Sequence, residues 1–174
     1  MIRALVKGGS FFVRGNQMKI EKAFFAAGSF WDVQEAFDAI RGVLFTRVGY
    51  AGGYTADPSY HEVCSGHTGH AQTVEVTFDA DKISYTALVL IFFQIHNPTV
   101  LNGQGPDKGT AFRSALFPVD EKQKQIAEHI KSYFDERNEY GKPSTTQIYE
   151  SAAFFEAESW NQKFWQKHTK TQTA

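Results

Sequence analysis

A hydroxyl, a thiol and a spaced set of imidazoles are the groups in this chain with chemistry to offer. Ser29 sits in "AAGSFWDVQEAF", where a short apolar run ends at Gly28 and an amphipathic segment begins. A side chain there stands at a helix N-terminus, near the unpaired amides of the first turn, beside two aromatics, Phe30 and Trp31. As a hydrolytic nucleophile, Ser29 needs a base within hydrogen-bond reach. His61, His67, His70 and His96 are available, but no spacing selects one, and the Gly-x-Ser-x-Gly elbow is absent. The plain alternative is a helix-capping serine. His61, Cys64, His67 and His70 recur every three residues, and imidazole with thiolate suits zinc. Gly66 and Gly69 make that stretch a loop, and no second ligand cluster exists elsewhere, so no metal is expected. Cys64 is a nucleophile if nearby imidazoles lower its pKa, or a small packing residue. Phe30, Trp31 and Tyr60 are core aromatics by default. Phe30 and Trp31 are consecutive, however, and cannot both face one core, so one of them should line a surface cavity suited to a small apolar group such as a methyl.

These groups need elements to hold them. "IEKAFFAA", residues 20–27, predicts a short buried strand. Phe30, Val33, Phe37 and Ile40 follow at helical spacing, and Gly42 ends that helix. "VLFTRVGYAGG" predicts a strand running into a loop. Residues 50–71 read as one long connection rich in glycine and histidine, a length that in compact domains often carries function. Val74, Val76 and Phe78 alternate with Thr73, Glu75 and Thr77, as in a half-buried strand. Ser84 caps a largely buried helix, "SYTALVLIFFQIH", and a second glycine-rich loop, "NPTVLNGQGPDKGT", leads to a strand at "AFRSALF". Asp120 opens a helix with Ile126, Ile130 and Phe134 on one face; "STTQIYE" predicts a last strand and "AESWNQKFWQKH" a last helix. This order is that of an α/β (α+β) sandwich, with helices packed on a mixed sheet. Both long loops are expected to converge on Ser29.

The totals narrow the function classes. A chain of 174 residues suits one core and one domain. Aromatics reach 15%, enough to fill a core and still line a pocket. A net charge of −1 offers nucleic acid or an anionic membrane no electrostatic reason to bind. No apolar run approaches the roughly 20 residues of a membrane span. The single cysteine, Cys64, excludes an intramolecular disulfide and suits a reducing compartment, the cytoplasm. Residues 1–17 carry Arg3, Lys7 and Arg14 and no acid, and read as an N-terminal extension ahead of a second start at Met18. Residues 18–170 form the expected single domain, and 171–174 a frayed tail.

Four stretches taken together, "AAGSFWDVQEAF", "TRVGYAGGY", "YHEVCSGHTGHAQTVEV" and "QGPDKGTAFRSALF", resemble the peptide methionine sulfoxide reductase A family, from about Lys22 to Lys167. The resemblance implies a sandwich fold related to the ferredoxin-like arrangement. It also implies thiol-dependent reduction of methionine-S-sulfoxide, free or in peptides. The family's Gly-Cys-Phe-Trp motif puts its nucleophilic cysteine on Ser29, and Phe30 and Trp31 on the aromatics that hold the substrate methyl. In the family the thiolate attacks the sulfoxide sulfur and becomes a sulfenic acid, which thiols then reduce. Tyr60 and Asp107 match residues around the oxygen. Gln72 stands where the family has its glutamate acid, and Phe112 where it commonly has a tyrosine. Asn97 and Asn161 also depart from the usual pattern. Cys64 matches a cysteine frequent in its loop and is the remaining candidate for a resolving thiol. No metal or organic cofactor is implied. The partners would be methionine sulfoxide and a thioredoxin-like or small thiol reductant, with the chain a monomer. With Ser29 and Gln72 in place, the expectation is an inactive Cys-to-Ser form, engineered or natural; the alternative is a non-catalytic binder of oxidised methionine.

Overall fold

The apolar run after Met18 becomes β1 (Ile20–Ala27), whose second half is buried apart from the partly exposed Phe24. The structure, a computed structural model, describes residues 18–169. The extension at 1–17 and the tail at 171–174 lie outside the described residues. After β1 come α1 (Phe30–Asp38), β2 (Val43–Ala51), α2 (Tyr60–Cys64), β3 (Ala71–Asp79) and α3 (Tyr85–Gln94). A small hairpin, β4 (Gly103–Gln104) and β5 (Asp107–Lys108), precedes a 3-10 turn (Thr110–Phe112) and β6 (Ser114–Leu116). The chain ends with α4 (Glu121–Arg137), β7 (Gln147–Ile148), β8 (Phe154–Glu156) and α5 (Phe164–Thr169).

Six strands form one mixed sheet in the order β7-β6-β1-β3-β2-β8, antiparallel except for the β6–β7 pair. This is the α/β sandwich read from the sequence. Successive strand residues face opposite ways, so β1 feeds two cores. Phe25 points into the main one, stacked on Phe37 of α1 at 4.7 Å and near Phe92 of α3 at 5.7 Å. Phe24 and Ala26 face the smaller one, among Ala51, Ala71, Ala115 and Phe117. Phe93 on Phe134, centroids 4.8 Å apart, joins α3 to α4.

Three local expectations are revised. β3 is buried on both faces rather than half-buried, because it is a central strand and Arg47 and Lys22 close over its polar face by pairing with Glu75. The 50–71 connection is not structureless: Ser59 and Glu62 form a reciprocal capping box that starts α2. The last helix begins only at Phe164. The turns before it run back along the molecule, and Phe154–Glu156 adds an edge strand to β2.

Candidate active site

The β1–α1 turn is built by Gly28, at φ +100, a backbone conformation that favours glycine. A Cβ there would sit 2.8 Å from Cβ of Gln104, so the glycine also lets the 103–108 hairpin press against the turn. Ser29 follows at the N-cap position, partly exposed. Its side chain makes no capping hydrogen bond. The first amide of α1, that of Phe30, donates instead to Oε1 of Gln72 at 3.1 Å. Gln72 is 2% exposed on β3, and its Nε2 donates to Sγ of Cys64 at 3.5 Å, at the end of α2. The Tyr60 hydroxyl lies close enough to both Cys64 and Gln72 to be coupled to them electrostatically.

Charge and burial set the protonation of this cluster. Burial, then the neighbouring Cys64, pushes the Tyr60 phenol up to about 12, so it remains a hydrogen-bond donor. Burial also raises the Cys64 thiol, against Tyr60 and Gln72, which pull the other way. The Asp107 carboxylate is close enough to add to both rises. Cys64 is therefore a protonated thiol at neutral pH, and no flanking imidazole activates it. His61 and His67 are exposed. His70 braces the neighbouring loop, accepting from Gly53 N at 3.1 Å and hydrogen-bonding Thr55 O through Nε2 at 2.8 Å. The every-third-residue pattern does not converge: among the described residues no three His, Cys, Asp or Glu side chains gather as a metal would require.

A cavity of about 250 Å³ opens beside Ser29, lined by Ala27, Asp32, Val33, Ala36, Ile95 and the 104–107 turn. Ser29 and Asp107 border it, while Tyr60, Gln72 and Cys64 form the adjoining cluster. The aromatic pair divides between inside and outside, but neither ring lines the cavity beside Ser29. Phe30 is fully buried against Tyr50 and Tyr60. Trp31 is half-buried, stacked on Tyr60 (5.6 Å) and on Phe164 (4.0 Å). Phe112, on the 3-10 turn, packs against the main core.

Asn161, singled out in the sequence only as a departure from the family pattern, and Glu158 and Trp160, which the sequence did not single out, hold this wall in place. Glu158 accepts from Tyr50 Oη (2.7 Å), Tyr60 N (2.8 Å) and Asn161 Nδ2 (3.0 Å). Burial alone would raise the Glu158 carboxyl, but these bonds outweigh it and hold it below the ordinary carboxylate value. Asn161, fully buried, accepts from the Trp31 indole at 3.1 Å. Trp160 meets Tyr60 edge-on at 5.1 Å. The one local signal was the aromatic density of "SWNQKFW".

Comparison with known proteins places this geometry among relatives. The profile of the family described as "Peptide methionine sulfoxide reductase" matches residues 21–174. The peptide methionine sulfoxide reductase MsrA of Methanothermobacter thermautotrophicus is 43% identical over 150 residues, 86% of this chain and 89% of that protein. The MsrA of Geobacter metallireducens is 43% identical over 149 residues, 86% and 92% of the two chains. Among solved structures, methionine sulfoxide reductase A of Corynebacterium diphtheriae superposes with a TM-score of 0.82 at 30% identity, covering 88% of this chain and 77% of that one. Reduced Mxr1 from Saccharomyces cerevisiae gives 0.80 at 28%, covering 89% and 92%. Mxr1 in complex with Trx2 shares the fold, with a TM-score of 0.59 at 21% identity over 84% and 85% of the two chains.

Proposed function

This chain belongs to the peptide methionine sulfoxide reductase family, and from that premise we propose that its site is a methionine-S-sulfoxide pocket whose reactive sulfur has been replaced by the Ser29 hydroxyl. The observation that carries the reading is the Gln72 bridge, which ties the first amide of α1 to Cys64 immediately beside Ser29, with Tyr60 next to it. In a thiol form, the sulfur at position 29 attacks the sulfoxide sulfur. The S–O oxygen passes to the attacking sulfur, which becomes a sulfenic acid, and methionine is released. A first external thiol then displaces water from the sulfenic acid, giving a mixed disulfide, and a second thiol restores the free cysteine.

Each side chain has a proposed part in this. Half-buried Trp31, beside Tyr60, supplies the apolar wall for the substrate methyl, with Phe30 packed behind it. Tyr60, protonated at neutral pH, donates to the sulfoxide oxygen. Gln72 hydrogen-bonds that oxygen but has no proton to transfer, and Asp107 flanks the same space. Loss of a general acid typically costs about 10²–10⁴-fold. Serine is a far weaker nucleophile toward sulfur and has no sulfenic state, so turnover of this chain is near background while substrate binding persists. The reductant of a thiol form is a thioredoxin or a small thiol, in line with the yeast relative solved with Trx2. A reducing cytoplasm suits a chain with one cysteine, and among the described residues no helix is long and apolar enough to cross a membrane.

The test is direct. Ser29→Cys yields up to one methionine per chain from a blocked methionine-S-sulfoxide in single turnover, read by mass spectrometry, and adding Gln72→Glu accelerates it. Absence of product from the double variant overturns the reading. A chain that binds the sulfoxide yet gains nothing from either change is a non-catalytic binder of oxidised methionine.

A further inference from the structure

In the proposed function Asp107 flanks the sulfoxide oxygen, yet no bond to its carboxylate holds it there. Among the described residues no hydrogen bond or ion pair reaches that side chain. Its closeness to Tyr60 and Cys64 shows in the rise that it adds to both. The carboxylate therefore takes its place from the backbone of the 103–108 hairpin. There Asp107 is the direct cross-strand partner of Gln104, with only Gly105 and Pro106 between them. Gly109 N donates to Asn102 O at 2.9 Å and closes the base of the hairpin. A two-residue turn leaves the two partners no slack, so whatever holds Gln104 also holds Asp107.

Gln104 is held at two points. Its Oε1 accepts from Asn97 N at 3.1 Å, and its Nε2 donates to Asn97 O at 2.9 Å, as a neighbouring strand would. The anchor is itself fixed. Asn97 Oδ1 accepts from Thr99 N at 3.0 Å and Thr99 Oγ1 at 2.8 Å, and Pro98 O accepts from Thr145 N at 2.7 Å. His96, just before it, is tied to Phe92 O and Ser114 Oγ, each at 2.7 Å. On its other side, Cβ of Gln104 presses on the turn that presents position 29, an approach that only a glycine at 28 allows. With both ends of its amide on Asn97, Gln104 reaches the chemistry through Asp107. We propose that Gln104 is a positioning residue for the reaction: by bridging its hairpin to the Asn97 backbone, it fixes the Asp107 carboxylate beside Tyr60 at the sulfoxide oxygen. The inference rests on the sulfoxide reading and extends it from the groups that meet the oxygen to the one that places them.

Gln104→Met tests this, because it keeps an aliphatic stem against the Gly28 turn and removes both hydrogen bonds. The first readout needs no turnover. Cys64 is the sole thiol of the chain, and the titrating groups that face it are Tyr60, Asp107 and Glu158, both carboxylates raising its pKa. Its alkylation by iodoacetamide against pH has a midpoint that Asp107→Asn lowers. Gln104→Met lowers it too, and the two changes together lower it no further than Asp107→Asn alone. A midpoint that Gln104→Met leaves unmoved overturns the inference and leaves the sulfoxide reading standing. The second readout is single turnover in the chain carrying Ser29→Cys and Gln72→Glu. Gln104→Met slows its maximal rate about 10- to 100-fold, the loss expected of a misplaced reacting group, with the half-saturating sulfoxide concentration little changed. Once Asp107→Asn is present, the same substitution costs less than about twofold, because the two residues act as a unit. Equal losses in both backgrounds, or no loss in either, overturn the inference. Absence of methionine before any change at Gln104 overturns the sulfoxide reading and this inference with it.

Discussion

In the proposed function the chemistry falls on one atom, at position 29. The backbone around it is a helix N-terminus entered by a glycine turn, with the first amide engaged by Gln72. Cys64 is the thiol this chain does carry, and it is held back by burial. Its alkylation by iodoacetamide should therefore follow a titration with a midpoint above that of an unperturbed thiol. Tyr60→Phe should move that midpoint further up, because the phenol hydroxyl is one of the influences lowering it. A rate profile against pH checks both statements. In Ser29→Cys, a second thiol appears at a helix N-terminus, where thiolates are stabilised, and it should alkylate before Cys64 at neutral pH. Mass spectrometry of the partly modified protein distinguishes the order.

The element that closes the site is the C-terminal segment. It is latched by Lys163, whose ammonium contacts both Asp38 carboxylate oxygens and Thr46 Oγ1, each at 2.7 Å, while its backbone amide donates to Gln34 Oε1 at 2.7 Å. Gln162 continues the sheet with its side chain, accepting from Val48 N and donating to Val48 O at 2.8 Å each. The latch positions Phe164 over Trp31 and Glu158 under Tyr60. Lys163→Met should cost about 1–3 kcal/mol, between the values for exposed and buried pairs. Hydrogen exchange should speed up selectively in residues 158–169, while the β1–β3 ladder stays protected. Uniform loss of protection across the sheet would mean that the segment is part of the global folding unit rather than a separable cover.

Across the whole molecule, one buried imidazole couples stability to pH. His96 is held at the junction of α3, β6 and β7, with Nδ1 at 2.7 Å from Phe92 O and Nε2 at 2.7 Å from Ser114 Oγ, which in turn meets Thr146 Oγ1 at 2.7 Å. Burial, against the Phe92 hydrogen bond, lowers its pKa from 6.5 to about 4. Between those values the unfolded chain binds a proton that the folded chain refuses, so stability falls as pH drops from 6.5 toward 4 and levels off below. The full effect is about 3 kcal/mol. Urea midpoints measured across that range should decline, and His96→Gln should flatten the decline while lowering stability at neutral pH.

Much of this protein follows from its sequence alone. The strand at 20–27, the helices capped by Ser84 and Asp120, and the sandwich class are set by periodicity and local capping, which act between residues a few positions apart. The hydroxyl at position 29 is likewise read from one residue type in one motif. The capping box at Ser59 and Glu62 was legible too, but a glycine-rich setting obscured it. What faces Ser29 was decided only by the tertiary structure. Phe30 meets Gln72 across 42 positions, Tyr60 meets Glu158 across 98, and Trp31 meets Asn161 across 130. Such contacts have no local period. They exist because the sheet order sets β1, β3 and β2 side by side, and the last segment returns to seal the end where their loops converge.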